Sequence, residues 1–75
     1  MLDVVVATPE RVLFEGEAKS LVLPGEQGIF EILSFHKPII SRLISGRILV
    51  DEQAFLIRRG IAGFDNNRAM IIVEE

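Results

Sequence analysis

Three observations make this sequence an all-β chain, expected to fold as a two-sheet antiparallel β-sandwich. Its apolar residues come in short runs divided by turn residues, the spacing typical of a sandwich or barrel. Val, Ile, Leu and Phe fill those runs, and β-branched and aromatic side chains suit a pleated surface. No stretch of ten residues or more keeps a helical period.

The first strand is predicted over residues 2–6 and stops at the turn Thr8-Pro9-Glu10. A second, over 12–14, runs into Glu15-Gly16-Glu17, and a third covers 18–23. The punctuation that follows is Pro24-Gly25-Glu26-Gln27-Gly28. Pro24 and Gly25 suit the central positions of a type II turn, where proline presets the first angle and glycine takes the positive one. A fourth strand is expected over 29–33, followed by a loop from Ser34 to Pro38, and a fifth over 39–43. A turn and a half of helix over 38–44 is the alternative there, because Ile40, Leu43 and Ile44 would cluster. Ser45-Gly46 and Asp51-Glu52-Gln53 flank a sixth strand over 47–50. Strands over 54–58, 61–64 and 69–73 complete the set. The last two are separated by Asp65-Asn66-Asn67, whose asparagines tolerate left-handed geometry at a hairpin tip.

Two of these strands are apolar on both faces. Phe55 and Ile57 alternate with Ala54 and Leu56, and Ile71 and Val73 alternate with Met70 and Ile72. A strand at a solvated face should alternate apolar with polar. These two are therefore covered on both sides, or their outer face docks another subunit. The expected core is Val4, Val6, Phe14, Val22, Phe30, Ile32, Leu43, Ile48, Val50, Ile57, Ile71 and Val73.

The 75 residues form one domain, 1–75, without repeat, linker or low-complexity segment. A domain near this size buries only roughly 60% of its unfolded surface, yet 49% of the residues are apolar and the mean hydropathy is +0.40. Part of that apolar surface is expected to meet a partner. The longest apolar runs, residues 4–7 and 69–73, fall far short of the roughly 20 residues of a membrane helix. The first strand starts too early for a secretory signal. The absence of cysteine fits a reducing compartment. A net charge of −3, scattered basic residues and the lack of Tyr and Trp argue against nucleic-acid binding.

Little in the chain points to catalysis. His36 is the lone histidine, and it is expected to bond the loop backbone around it. A catalytic histidine needs an oriented partner. The Pro24 to Gly28 segment lacks the lysine and hydroxyl of a nucleotide P-loop. Asp51-Glu52 and Glu74-Glu75 are adjacent pairs, and neighbours on a strand point to opposite faces. They read as a solvated loop and a chain end. Arg58 and Arg59 read as solubilising charge or as a hold on an acidic partner.

Ala7-Thr8-Pro9-Glu10, Phe14-Glu15-Gly16-Glu17 and Leu23-Pro24-Gly25-Glu26-Gln27-Gly28, in that order, resemble the opening of F-type ATP synthase epsilon subunits. The match continues through Phe30, Ile32, Leu33, His36 and Pro38 to Gly60 and the turn over residues 65–68. It departs where the family commonly has Pro-Gly before the histidine and this chain has Ser34-Phe35. Glu31 and Arg59 also stand where small residues are usual. Losing the glycine before the histidine removes an easy positive-φ position from the Ser34–Lys37 loop.

The resemblance implies a non-catalytic rotor subunit in the central stalk, linking the gamma subunit to the c-ring and coupling ion translocation to ATP synthesis. It implies no cofactor and no metal. The complex would lie on the cytoplasmic face of a bacterial inner membrane, with only indirect membrane association. Glu26, Gln27, Gly28 and Glu31 would face the c-ring, and His36, Met70 and Ile72 would face gamma. Only Glu74 and Glu75 follow Val73. On this reading the inhibitory C-terminal helical hairpin of the family is missing, so neither inhibition of hydrolysis nor ATP binding is expected. The alternative is a free-standing β-sandwich module binding a small ligand or peptide, which should carry a deep pocket with convergent polar groups.

Overall fold

The computed structural model describes residues 1–75. Nine strands follow one another: β1 Leu2–Ala7, β2 Val12–Ala18, β3 Ser20–Gly25, β4 Gly28–Leu33, β5 Ile39–Leu43, β6 Gly46–Val50, β7 Gln53–Ile57, β8 Arg59–Asp65 and β9 Arg68–Glu74. All nine expected strands are present. The helical alternative over residues 38–44 is overturned, because β5 pairs with β8 along its whole length.

The strands form one ladder that folds over on itself. One layer runs β2-β1-β9-β8-β5 and the other β4-β3-β6-β7. They join where β5 crosses to β3 through the single pair Gly25–Leu43. Two main-chain bonds reinforce that corner, from Ile44 N to Pro24 O at 2.9 Å and from Glu26 N to Arg42 O at 3.1 Å. Every pairing is antiparallel except β1 with β9, which run parallel from Asp3–Arg68 to Ala7–Ile72. No short connection links these two strands, so no hairpin dictates their direction.

The core lies between the layers. Leu2, Val4, Val6, Ala69, Ile71 and Val73 point in from one side, and Leu21, Leu23, Ile32, Ile48, Val50 and Ile57 from the other. Nine of the twelve expected core residues are buried; Phe14, Val22 and Phe30 are not fully so. Val22 lies on the opposite face, since register with β4 sets Leu21 against Ile32 and Leu23 against Phe30. Apolar residues at all three positions hid that parity.

Phe14 sits at an edge and meets Phe55 of the other layer edge-to-face, with ring centroids 6.3 Å apart. The pair closes the sandwich between β2 and β7. Because that ring keeps a wet side, Phe14→Ala is expected to cost about 1–3 kcal/mol, below the 3–5 typical of a buried phenylalanine. A urea titration of the two forms measures this.

The turns correct two expectations. Glu15-Gly16-Glu17 is no turn but the middle of β2, because its backbone pairs with Val5, Val4 and Asp3 of β1. Pro24 and Gly25 belong to β3, and the hairpin tip is Glu26-Gln27, with the positive φ (131°) at Gly28. Gly25 is needed for space instead: a Cβ there would fall 2.8 Å from the Gly28 carbonyl oxygen and 2.7 Å from the Phe30 ring. At the β8–β9 tip both asparagines are left-handed, with φ of 52° at Asn66 and 59° at Asn67. That is the type I′ geometry of a two-residue hairpin. At the β6–β7 tip Asp51, with φ of 52°, accepts bonds from Lys19 N (3.0 Å) and Ser20 N (3.1 Å). Its carboxylate thereby pins the β2–β3 corner, a structural role beyond that of a solvated loop residue.

Candidate functional site

Alternation along β5, β8 and β9 that buries one set of apolar residues aims a second set outward. Register then assembles that second set into rows across the outer face of the first layer. Val5, Met70, Gly63 and Ile40 lie side by side across four strands. In the next row Ile72 faces Ile61, and Ile61 faces Arg42. Met70 is 46% exposed, Ile72 44% and Ile40 84%. Both doubly apolar strands thus leave their outer residues uncovered within this chain, because Leu56 of β7 is also exposed.

Charge frames the apolar rows at both strand ends. Asp3 and Asp65 flank Arg68 at one end. At the other, Arg59 Nε bonds Glu74 Oε2 at 2.9 Å. That hydrogen bond holds the Glu74 carboxyl below its ordinary value and raises Arg59. Any stability the pair adds is therefore present above the ordinary carboxylate range and lost as pH falls through the lowered value, and water and salt screen it. Arg58 also finds a partner within the chain, its Nε bonding Glu75 O at 2.7 Å. An apolar centre inside a charged rim has the make-up of a protein–protein contact.

The outer face of the second layer is less continuous. Leu56, Ile29 and Leu33 are exposed there, but Glu31 stands beside Val22 and Arg47 beside Leu56.

The residues expected to face the ring fall into two places. Glu26 and Gln27 form the exposed β3–β4 tip and Gly28 opens β4 beside them. Glu31 lies three residues along β4, about 10 Å back at strand rise, on the outer face of the second layer. The residues expected to face gamma also divide. Met70 and Ile72 share the apolar face. His36 lies at the open rim between the layers, its ring edge-on to the buried Phe64 ring at 6.1 Å. As expected, it bonds the loop backbone, with Nδ1 2.7 Å from Lys37 O.

Sequence reasoning missed Ile40 and Ile61. Ile61 was legible as an apolar strand residue, but only register shows that it faces Ile72. The depressions on this face are shallow and open, lined by Pro38, Ile40 and Met70 at one end and by Ile44, Ile61 and Ile72 at the other.

The family model for the ATP synthase delta/epsilon chain β-sandwich domain matches residues 1–75. The ATP synthase epsilon chain of Chlorobaculum tepidum is 34% identical, the alignment covering 99% of this chain and 88% of that one. That of Chlorobium limicola is 33% identical with the same coverage. That of Sulfurimonas denitrificans is 33% identical, with 97% of this chain and 60% of the relative covered. Among solved structures, a chain of the Tetrahymena thermophila mitochondrial ATP synthase central stalk and c-ring superposes with a TM-score of 0.78. It shares 18% identity and the match covers 97% of this chain and 63% of that one, a likeness of fold. With the family model matched from the first residue to the last and the nine-stranded sandwich in place, this chain belongs to the ATP synthase delta/epsilon family, as its β-sandwich domain.

Proposed function

We propose that the chain is a non-catalytic subunit of the central stalk, joining the gamma subunit to the c-ring and carrying torque between ion translocation and ATP synthesis. The observation that carries this reading is the outer face of the first layer, where Met70, Ile72, Ile61 and Ile40 are exposed together inside a charged rim. Gamma is the occupant proposed for this face. The acidic β3–β4 tip, with Glu26 and Gln27 exposed, is proposed to meet basic loop residues of the ring. A stalk element needs stiffness and adhesive faces rather than reacting groups. A short sandwich in which every strand is hydrogen-bonded to a neighbour supplies the first and the apolar face the second. On this reading the subunit sits on the cytoplasmic side of a bacterial inner membrane and touches the bilayer only through its partners. The rival ligand-binding module calls for an enclosed pocket, and the depressions here are open ones.

The test is to purify the chain from its native source and identify by mass spectrometry what accompanies it; gamma and ring subunits are expected, and their absence overturns the reading. Reversing Glu26 and Glu31 to lysine is expected to loosen assembly modestly, since exposed pairs are each worth roughly 0–1 kcal/mol, and added salt should erase the difference. Unchanged assembly of the double variant at low salt counts against the acidic contact.

A further inference from the structure

We propose that Asn67 is a positioning residue, whose side-chain amide fixes the shape of the Phe35–His36 loop and so presents that loop at the rim; its bearing on docking rests on the stalk reading above. Phe35 has φ of 63°, a left-handed conformation disfavoured for an aromatic L-residue. Its side chain is 82% exposed, so burial does not compensate for the conformation. Hydrogen bonding at this bend does. Phe35 N donates to Asn67 Oδ1 at 2.9 Å and His36 N donates to Leu33 O at 3.2 Å.

The same amide reaches a third segment. Asn67 Nδ2 donates to Met1 O at 2.8 Å, and Asn67 O accepts from Asp3 N at 3.1 Å. Its orientation is settled by chemistry, because the Phe35 amide only donates and the Met1 carbonyl only accepts. One residue therefore ties together the start of the chain, the β4–β5 loop and the β8–β9 turn. Its neighbour makes the contrast plain. Asn66 supplies the same left-handed turn geometry, with φ of 52°, and its side chain makes no hydrogen bond within the chain. Turn geometry alone thus accounts for Asn66 but not for Asn67. What Asn67 holds is the bend that sets His36 over Phe64 and leaves Phe35 projecting into solvent.

The test compares Asn67→Gly with Asn66→Gly, since glycine serves the turn equally at both places. Nuclear magnetic resonance on the isolated chain reads Phe35 amide exchange and the His36 ring protons, which feel the Phe64 ring. Asn67→Gly is expected to speed Phe35 exchange roughly fivefold to tenfold, as loss of one net hydrogen bond would, and to shift the His36 signals. Asn66→Gly should do neither. Adding Phe35→Gly to Asn67→Gly should restore the His36 signals, because glycine takes the bend without support. If Asn67→Gly does not fold, Asn67→Asp keeps the acceptor for Phe35 N and sets a carboxylate oxygen where the donor to Met1 O stood, so the Met1 tie is lost while Phe35 protection should survive. Equal effects of the two glycine variants, or an unaltered Phe35 amide in Asn67→Gly, overturn the role of Asn67. Binding to a reconstituted gamma–c-ring complex should weaken in Asn67→Gly and not in Asn66→Gly. A released loop with unaltered binding overturns the docking role of this rim, while failure of the unsubstituted chain to bind the complex overturns the stalk reading itself.

Discussion

Replacing Ile71 by alanine is expected to destabilise the domain by about 2–5 kcal/mol, the range for truncating a fully buried isoleucine. Ile71 is wholly shielded from solvent, set between Val6 and Ala62 at the centre of the first layer. At 0.05–0.15 kcal/mol per residue a domain of this size holds roughly 4–11 kcal/mol in all. The variant therefore loses a large share, visible as a lowered urea midpoint. The next residue should behave in the opposite way. Ile72 points to the outer face beside Ile61, so Ile72→Asp is expected to change stability by about 1 kcal/mol or less. Its effect should appear in docking. A residue at the centre of an apolar contact contributes about 2 kcal/mol or more, roughly thirtyfold in affinity. Titrating both variants against a gamma-containing subcomplex separates the two faces of one strand. If Ile72→Asp binds as tightly as the unsubstituted chain, the outer face is not the interface.

Gly60→Ala should be damaging although it adds only one methyl group. A Cβ at Gly60 would lie 2.6 Å from the Ile72 carbonyl oxygen and 2.9 Å from Val73 Cγ1. The nearer atom is backbone, which no rotamer change can move aside. Gly60 is also paired with Leu43 on its other side, so β8 is held from both flanks. Overpacking of this kind typically costs about 1–3 kcal/mol, occasionally more. Calorimetry should show a lower melting temperature, with Gly63→Ala as the control. Gly63 has open space where its Cβ would go, and an equal loss at both positions would refute the steric account.

The strands were legible because each is a short run of Val, Ile, Leu or Phe stopped by residues that break a ladder. Their pairing was not. Nothing local in Leu21-Val22-Leu23 says which residue faces in, and β4 decides it through Ile32 and Phe30. The same holds for the candidate site. Met70 and Ile72 were visible as the spare parity of an apolar strand, whereas Ile40 and Ile61 join them only through the β5–β8–β9 register. Composition placed Pro24-Gly25 in a turn, but the chain runs two residues further before it reverses at Glu26-Gln27. Ser34-Phe35 stands where the resemblance led one to expect proline and glycine. The backbone still takes a positive φ there, and the bond that Phe35 N donates to the Asn67 side chain, distant in sequence, makes that tenable.

The parallel pairing of β1 with β9 has a consequence for how the molecule comes into being. On a ribosome β1 and β2 emerge before the other strands and can zip into a hairpin at once. The other edge of β1, residues 3–7, then has no strand to pair with until β9 arrives. At roughly 5–20 residues per second of synthesis the hairpin waits several seconds for that partner. Long-range pairings of this kind also fold slowly, on a scale of about milliseconds to seconds for β-sandwiches. An unpaired strand edge therefore persists while the residues between β2 and β9 are made, and β9 acts as the latch that closes it.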